Sequence, residues 1–260
     1  MRRHIAIIRP VSRSIVDCEL THLAREPIDY KIATLQHDAY RQALVDSGYK
    51  IVTVPRADKM PDAVFVEDTA VVLDEVAIMT RPGAVSRRGE LDAVEAILQD
   101  YRRLERIVAP ATLDGGDVLR LGRRIFVGRS SRTNDAGIEQ LRTFVQDHGY
   151  DVEAVDVHGC LHLKSAVTAV GDATLLGNSA WLDRAPFDHL TWIEVDSAEP
   201  HAANALWLGE RVIYPSAFPR TAALLRAHLE VQKRELCRVD ADELAKAEGG
   251  VTCCSLILSV

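Results

Sequence analysis

The residue types in this sequence that could do covalent chemistry begin with a cysteine near its end. Cys253 follows a glycine pair, Gly249 and Gly250, and leads into an apolar run. A lone cysteine is most often a small buried hydrophobic residue, so its assignment as a nucleophile depends on partners. A nucleophilic thiol must lose its proton before attack and needs a nearby proton donor for the leaving group, most commonly a histidine.

The histidine that best fits this partnership is His162. Among nine histidines it alone lies in an otherwise apolar segment, CLHL, that precedes a predicted strand. An isolated histidine between leucines is more often a core residue, and His158 is a competing candidate. The sequence therefore offers a proton-transfer partner for Cys253 without deciding between the two.

Carboxylates cluster in two places. Asp62, Glu67 and Asp68 bracket the short apolar segment VFV, and Asp114 and Asp117 flank a glycine pair. Turn formation would explain Asp beside Gly without any ligand. However, three carboxylates this close repel one another unless a cation or basic side chains offset the charge. A metal ion and a guanidinium group would both satisfy them.

A metal is disfavoured by the spacing of the ligands. The sequence contains no loop with Asp or Asn at alternate positions and a terminal Glu, and no HExxH pair. Cys253 and Cys254 are adjacent, so on a strand they would point to opposite faces and could not share a zinc ion. Five cysteines in a long chain fit reduced thiols better than a disulfide framework. These patterns disfavour a metal site.

Two arginines could bind a carboxylate. Arg87 follows the turn RPGA, and Arg132 lies near a predicted helix start. The rigid guanidinium fork binds carboxylates through paired hydrogen bonds. An arginine in a turn is solvated by default, so both interpretations stay open.

The overall composition is that of a globular protein. The 260 residues can form one domain or two, with 47% hydrophobic and 27% charged residues. A net charge of −7 argues against a nucleic-acid partner, because such proteins concentrate Lys and Arg. The apolar run from Ile5 to Ile8 is too short for a signal peptide, and no stretch is long enough for a membrane span. We expect a cytoplasmic protein.

Apolar periodicity predicts alternating strands and helices, and hence an α/β fold. Helices are predicted at residues 30–47, 90–104, 134–148 and 221–230. Strands are predicted at residues 4–8, 50–55, 64–66, 70–73, 76–80, 106–109, 117–121, 124–128, 151–157, 165–170, 173–176, 192–194, 204–208, 212–214 and 252–258.

Five segments place polar or small residues directly before an apolar run. They are PDAVFVEDTAVV, ATLDGGDVLRL, GCLHLKSAVTAV, HAANALWLGE and GGVTCCSLIL. They begin roughly 40 to 50 residues apart, a spacing typical of internal repeats. Five β-rich units in a ring would bring the polar junctions to one central mouth. Unrelated loops of a mixed sheet would give the same pattern, and the two interpretations have similar weight.

Six motifs in order, FVEDTAVV, MTRPGAVSRRGE, TLDGGDVL, GRSSRTNDAG, LHLKSAVT and EGGVTCCS, resemble those of the dimethylarginine dimethylaminohydrolase family. The resemblance extends from about Arg9 to the last strand. It implies a five-bladed α/β propeller of the pentein, or amidinotransferase-like, superfamily, with pseudo-five-fold ββαβ repeats. The whole of residues 1–260 would then form a single catalytic domain that uses no cofactor.

The resemblance also implies roles for individual residues. Cys253 would be the nucleophile, His162 the general acid and base, and Asp114 the residue that orients the imidazole. The remaining roles concern the substrate: Asp68 and Glu67 for the guanidinium, Asp62 for the α-ammonium, Arg87 and Arg132 for the α-carboxylate, Phe65 for packing along the site, and the backbones of Leu20 and Ala247.

The implied reaction converts asymmetric dimethyl-L-arginine or monomethyl-L-arginine into citrulline and dimethylamine or methylamine, through a covalent thiouronium on the cysteine. Alternatives are an arginine deiminase or amidinotransferase of the same superfamily, or a non-catalytic binding propeller. The expected partner is a small-molecule substrate, with no nucleic acid and no membrane, and a homodimer is compatible with the sequence.

Overall fold

The computed structural model describes residues 3–260, and within this range fifteen strands form five separate three-stranded sheets. The strands are β1 (His4–Ile8), β2 (Lys50–Thr53), β3 (Ala70–Val72), β4 (Val76–Met79), β5 (Arg103–Arg106), β6 (Val118–Leu121), β7 (Arg124–Arg129), β8 (Asp151–Asp156), β9 (Val167–Gly171), β10 (Thr174–Gly177), β11 (Thr191–Glu194), β12 (Leu206–Trp207), β13 (Arg211–Pro215), β14 (Glu235–Val239) and β15 (Leu256–Ser259). The helices are α1 (Tyr30–Asp46), α2 (Leu91–Leu98), α3 (Asp135–Val145), α4 (Leu163–Ala166), α5 (Pro219–Val231) and α6 (Asp242–Ala245).

Each sheet repeats one plan. An antiparallel pair of strands is followed by a crossover to a third strand that is parallel to the middle one, as in β3-β4-β5 and β6-β7-β8. A parallel neighbour requires a crossover connection, and α1, α2, α3 and α5 provide it in four sheets. In the sheet of β9, β10 and β11 the crossover contains only the 3₁₀ turn Ala185–Phe187. The predicted ββαβ repeat is therefore present in four of the five blades, and in the fifth a 3₁₀ turn replaces the α-helix.

The five sheets are arranged as blades around a central channel. A channel of about 240 Å³ is bordered by residues from β3, β6, β9, β12 and β15, which are the first strands of their sheets. The architecture is a five-bladed α/β propeller, which decides between the two interpretations of the repeat in favour of the ring.

The last blade is built from both ends of the chain. β1 pairs antiparallel with β15, with His4 opposite Ser259, and parallel with β2. The loop that carries Cys253 leads directly into β15. The pairing that closes the ring therefore also anchors one side of the central mouth.

The middle strands of the blades are buried on both faces. All four residues of β4, and all four of β10, are buried, which explains why these strands are continuously apolar rather than alternating. Helices cover the outer ends of the blades, with α1 placing Tyr40 and Leu44 in the same apolar cluster as Ile8 and Cys253. Among the described residues, no helix is long and apolar enough to cross a lipid bilayer.

Several predicted elements differ from the structure. The strand predicted at 106–109 is β5, which ends at Arg106, and the strand predicted at 252–258 begins only at Leu256. Residues 64–66 are not a strand, because the chain turns there and continues as the 3₁₀ helix Val66–Thr69. The predicted helix at 90–104 is only α2, preceded by the 3₁₀ helix Val85–Glu90 and followed by β5. The strand predicted from residue 165 begins two residues later, after the single turn α4. Periodicity indicates which side chains are buried and does not separate a short turn from a regular element.

Candidate active site

The connections between successive blades bring distant polar residues to one end of the central channel. The link from β2 to β3 carries Asp62 through Asp68, and the link from β5 to β6 carries Asp114. The link from β8 to β9 carries His162, and the link from β14 to β15 carries Cys253. Residues that are up to 191 positions apart therefore lie around a common space.

That space is a cavity of about 20 Å³. Its border includes eight of the eleven residues predicted for the site, together with Glu19, Leu161, Glu248 and Gly249: the eight are Asp62, Phe65, Asp68, Arg87, Arg132, His162, Ala247 and Cys253. The other three, Asp114, Glu67 and Leu20, lie outside this border. Asp114 contacts His162, Glu67 packs behind the cysteine loop, and Leu20 packs against the apolar cluster under α1.

His162 lies between two carboxylates. Its Nε2 is 3.1 Å from Oδ2 of Asp114, and its Nδ1 is 3.9 Å from Oδ1 of Asp68. Burial alone would lower the pKa of the imidazole, but the carboxylates of Asp68, Asp117 and Asp114 outweigh it and raise the pKa of His162 to about 9. The ring is therefore positively charged at neutral pH and can donate a proton.

Gly116 leaves room for this arrangement. A Cβ at residue 116 would lie 2.6 Å from Nδ1 of His162 and 2.7 Å from Oδ1 of Asp68, closer than non-bonded atoms approach. The amide of Gly116 donates a hydrogen bond to the same Asp68 oxygen at 2.8 Å. Gly116 therefore does more than form a turn, because the lack of a side chain lets its backbone approach both Asp68 and His162.

Cys253 is held with its thiol in an acidic, dry environment. Its Sγ accepts a hydrogen bond from the amide of Gly250 at 3.3 Å. Burial, followed by the charges of Glu67 and Asp68, raises the pKa of Cys253 to about 12. The thiol is therefore protonated at neutral pH until a positive charge arrives beside it. Cys254 is also buried, but its Sγ points to the carbonyl of Gly250 at 3.5 Å and does not border the cavity.

Arg87 is enclosed by carboxylates. Nη1 lies 2.5 Å from Oδ2 of Asp68, while Nη2 and Nε contact the two oxygens of Glu90 at 2.9 and 3.2 Å. Nη2 also donates to the carbonyls of Phe65 and Asp62. Burial opposes the charge, but Glu90 and Asp68 raise the pKa of Arg87 well above its usual value. Arg87 therefore fixes the acidic segment of the site.

Asp62 and Arg132 contact the loop that follows the first strand. Oδ2 of Asp62 accepts a hydrogen bond from the amide of Glu19 at 3.1 Å, and Nη2 of Arg132 donates to Oγ1 of Thr21 at 2.9 Å. Asp62 and Arg132 both border the cavity from the same side as this loop. A carboxylate and a guanidinium at one cavity are the groups that would bind the α-ammonium and the α-carboxylate of an amino acid.

Comparison with known proteins identifies the kind of molecule to which this geometry belongs. A family model described as "N,N dimethylarginine dimethylhydrolase, eukaryotic" matches residues 22–176. A dimethylarginine dimethylaminohydrolase from Pseudomonas aeruginosa is 37% identical over 98% of this chain and 99% of its own length. One from Streptomyces coelicolor is 42% identical over 97% of this chain and 96% of its own length. The chain belongs to the dimethylarginine dimethylaminohydrolase family.

Solved structures of dimethylarginine dimethylaminohydrolase have the same fold. A cysteine-to-serine variant of the Pseudomonas aeruginosa enzyme, complexed with citrulline, superposes with a TM-score of 0.92 at 35% identity, covering 99% of this chain and 100% of that one. The N-terminal domain of a cyanobacterial arginine dihydrolase superposes with a TM-score of 0.87 over 99% of this chain and 98% of that one, at 18% identity. The latter likeness shows the pentein fold alone.

Four further residues of this dimethylarginine dimethylaminohydrolase family member support the site and were not singled out from the sequence for that role. Lys164 Nζ contacts Oε1 of Glu67 at 2.5 Å, and Oγ1 of Thr252 donates to Oε2 of Glu67 at 2.9 Å. Asn204 donates to the Lys164 carbonyl at 2.9 Å and to Thr252 Oγ1 at 3.0 Å, and accepts from the amide of Thr252 at 3.1 Å. Their positions could have indicated this role in the sequence, because Lys164, Thr252 and Asn204 each lie in one of the five polar junctions.

Asp117 is the fourth residue that supports the site. Its Oδ2 accepts hydrogen bonds from Ser130 and Thr133, both at 2.6 Å, and its Oδ1 accepts the amide of Leu163 at 2.9 Å. Burial, only partly offset by His162, raises the pKa of Asp117 to about 6. The residue thereby ties the loop that carries Arg132 to the loop that carries His162.

Within the described part of this family member, Asp68, Asp114 and His162 form one group whose ligand atoms lie within 4.8 Å of one another, close enough to surround a metal ion. The two carboxylates, however, face different ring nitrogens of His162. A metal would take one nitrogen only, whereas an imidazolium presents an N–H to each acid. The geometry therefore fits a charged histidine held between two acids.

Proposed function

We propose that this protein hydrolyses Nω-methylated arginines, asymmetric dimethyl-L-arginine and monomethyl-L-arginine, to citrulline and dimethylamine or methylamine. The observation that carries the proposal is that a buried thiol, a charged imidazole and the carboxylate of Asp68 border one cavity. This arrangement occurs in a chain that is 37% and 42% identical, almost end to end, to two dimethylarginine dimethylaminohydrolases. The family's solved structures include complexes with citrulline and with an S-methylthiocitrulline adduct.

The first step in the proposed mechanism is capture of the guanidinium. Asp68 holds the substrate cation so that its central carbon faces Sγ of Cys253. Glu67, whose oxygens are bonded to Lys164 and Thr252 behind the cysteine loop, contributes negative charge from outside the cavity. The carbon is a poor electrophile because its charge is delocalised, so fixed geometry provides much of the rate. The bound cation also offsets the two carboxylates that raise the pKa of Cys253, and the thiol then loses its proton to solvent.

The second step is transfer of the amidine carbon to sulfur. The thiolate attacks and a C–S bond forms, giving a tetrahedral adduct. His162, which is already protonated because of its acidic neighbours, gives its proton to the substituted nitrogen. The C–N bond breaks, dimethylamine or methylamine leaves, and a thiouronium remains on Cys253.

The third step restores the enzyme. His162 is now neutral and takes a proton from water as the water oxygen attacks the thiouronium carbon. The adduct collapses as the C–S bond breaks and the C=O double bond forms. The hydroxyl proton of the adduct goes to the departing sulfur, which restores the Cys253 thiol, and citrulline is released. Asp114 keeps the imidazole oriented through both proton transfers, since it contacts Nε2 at 3.1 Å.

The opposite end of the substrate is proposed to bind at the loop side of the cavity. Asp62 would bind the α-ammonium, with the backbones of Leu20 and Ala247 beside it, and Phe65 would pack along the aliphatic chain. Arg132 would be the principal clamp for the α-carboxylate. Arg87 would be the second, and its contribution is smaller because it is already bonded to Asp68 and Glu90.

We further propose that residues 1–260 act as one catalytic domain in the cytoplasm, without a cofactor and without a nucleic-acid or membrane partner. The net charge of −7 supports the exclusion of polyanions. A homodimer is compatible with this function but is not required by it, since the residues proposed for catalysis come from one chain.

The experiment that tests the reaction measures citrulline from asymmetric dimethylarginine beside plain arginine, with amine and ammonia identified separately. Citrulline with dimethylamine from the methylated substrate, and little from arginine, is the expected result. Ammonia from arginine would instead indicate a deiminase, and transfer to an added amine would indicate an amidinotransferase. No product from either substrate would return a binding propeller to consideration.

A further inference from the structure

The cavity is covered by an irregular segment, residues 18–24, which we call the strap. It contains no helix or strand, and all of its residues from Thr21 onward are exposed. Its base is tied by Arg25, whose guanidinium donates to the carbonyls of Val16 at 2.7 Å and Cys18 at 2.6 Å. A loop with a closed base and an exposed tip can move as a unit.

The strap must leave its position during each catalytic cycle. A space of about 20 Å³ holds roughly one water molecule. An amino acid with a guanidine side chain is far larger than this. On the other side of the strap lies a second cavity of about 440 Å³, and Leu161, Glu248 and Gly249 border both spaces. Displacement of the strap would join the two and create a path to the thiol.

Besides the Arg25 contacts at its base and a hydrogen bond from Oγ of Ser86 to Oε1 of Glu19 at 2.6 Å, two groups of contacts hold the strap. In the first, the amide of Glu19 donates to Asp62 at 3.1 Å and Oγ1 of Thr21 accepts from Arg132 at 2.9 Å. Asp62 and Arg132 are the groups proposed to bind the substrate's own α-ammonium and α-carboxylate. Substrate would therefore compete with these strap contacts rather than reinforce them.

The second group is a single carboxylate. Glu248 accepts hydrogen bonds from three consecutive strap amides, those of Thr21 at 2.9 Å, His22 at 2.5 Å and Leu23 at 2.7 Å. Hydrogen bonds to an ionised acceptor are stronger than neutral ones. None of the substrate roles proposed above uses this carboxylate, so these bonds can persist when substrate occupies Asp62 and Arg132.

The backbone at Glu248 is specialised for this position. Its φ of +57° is in the left-handed region, which a residue with a side chain seldom adopts. The residue lies between Ala247 and Gly249, which both border the catalytic cavity, and on the same loop as Cys253. Its side chain therefore connects the strap directly to the loop that carries the thiol.

We propose that Glu248 is a positioning residue that latches the strap over bound substrate. The inference rests on the proposed function, since it assigns this residue a part in the same reaction. Latching retains the bound substrate while the thiolate attacks, so loss of the latch raises KM more than it lowers kcat.

The test uses Glu248→Gln, which keeps the size and removes the charge. Amide hydrogen exchange is measured at Thr21, His22 and Leu23 in the substrate-free protein, and KM and kcat are measured with asymmetric dimethylarginine. We expect exchange at the three amides to rise about tenfold, KM to rise about tenfold, and kcat to change less than threefold. Glu248→Asp keeps the charge but has a shorter side chain. Its KM and its exchange rates should therefore lie between those of the parent and those of Glu248→Gln.

Glu26→Gln is the matched control, because Glu26 is exposed and borders the larger cavity. It should leave all three quantities at parental values. Unchanged exchange at the strap amides in Glu248→Gln would overturn the proposal, and so would faster exchange with parental KM. Unchanged exchange at Leu44, in the core under α1, shows that the variant is folded. A parent protein without turnover would overturn the proposed function, whereas the exchange data would still show whether Glu248 holds the strap.

Discussion

Arg87 and Asp68 form an ion pair inside the ring, with Nη1 2.5 Å from Oδ2 and both side chains almost completely buried. The other oxygen of Asp68 accepts the amide of Gly116 and faces Nδ1 of His162. The carboxylate of Asp68 thus interacts both with Arg87, which is always charged, and with His162, whose charge depends on pH. Burial opposes ionisation, but His162 and Arg87 lower the pKa of Asp68, so the acid is charged before any substrate arrives.

Replacing Arg87 with Met tests the structural part of this arrangement. The substitution leaves Asp68 and Glu90 buried without their counter-charge, and removing one partner of a buried pair typically costs about 3 to 5 kcal/mol of stability. Urea unfolding should reveal that loss. Arg88→Met is the control, because Arg88 is only half-buried and its Nε donates to the Pro82 carbonyl. Equal stabilities for the two variants would contradict the prediction.

Changing Cys253 to Ser should abolish turnover and leave the fold intact, since a hydroxyl is a far weaker nucleophile than a thiolate. Cys254→Ser should keep most of the activity, because its sulfur points to the Gly250 carbonyl and does not border the cavity. Mass spectrometry of the parent during turnover should detect an adduct on Cys253. An active Cys253→Ser protein would remove this residue from the mechanism.

The stability of the protein should depend on pH through His162. Its pKa is about 9 in the folded protein and near 6.5 in an unfolded chain, so the contribution is complete below about pH 6.5. As the pH rises through 9, a contribution on the order of 3 kcal/mol to the free energy of unfolding is lost. The free energy of unfolding is measured by urea titration of the parent and of His162→Asn across this pH range. If it falls equally with pH in both proteins, the histidine is not responsible.

Asp114→Asn should lower turnover by on the order of 10²-fold by weakening general acid catalysis. The carboxylate helps to raise the pKa of His162, so its loss lowers that pKa, and the alkaline limb of the kcat profile moves to lower pH. The measurement is kcat as a function of pH. His158→Asn is the control, since this competing candidate is exposed, and its profile should match the parent. An unshifted limb in Asp114→Asn would disprove the orienting role.

Arg132→Ala should raise KM for methylated arginine with a smaller effect on kcat, because a clamp on the α-carboxylate acts on binding in the ground state and the transition state alike. A methylated guanidine that lacks the carboxylate should be affected much less. Arg129→Ala offers a comparison three residues away, where the exposed side chain pairs with Asp135 and Asp156. Identical KM values for the parent and Arg132→Ala would exclude Arg132 from the clamp.

The sequence predicted the elements with local signals well. Helix α1 begins after Asp29, whose side chain accepts the amides of Lys31 and Ile32, and it is followed by Gly48 at φ +84°. Helix α3 has Asn134 as its N-cap. Apolar runs marked the strands because every middle strand is buried, and the spacing of the five polar junctions indicated the ring once family motifs were added.

Contacts between distant junctions could not be predicted in this way. Nothing local shows that Arg87 faces two acids, or that Glu67 meets Lys164 across 97 residues. The segment around Phe65 looked like a strand because a short apolar run such as VFV has the same sequence pattern whether it pairs in a sheet or turns. Such features arise from the closure of the ring, and periodicity carries information about neighbours only.

The pairing of β1 with β15 has a consequence for how the protein is made. These two strands are separated by almost the whole chain, and contacts between distant segments form slowly because a large loop must close first. Cys253 directly precedes β15, so the thiol takes its place beside His162 only when that late pairing forms. During synthesis on the ribosome the other blades can assemble while the nucleophile is still missing. Catalytic activity should therefore appear in a single step at the end of folding, and it should not increase gradually as successive blades form.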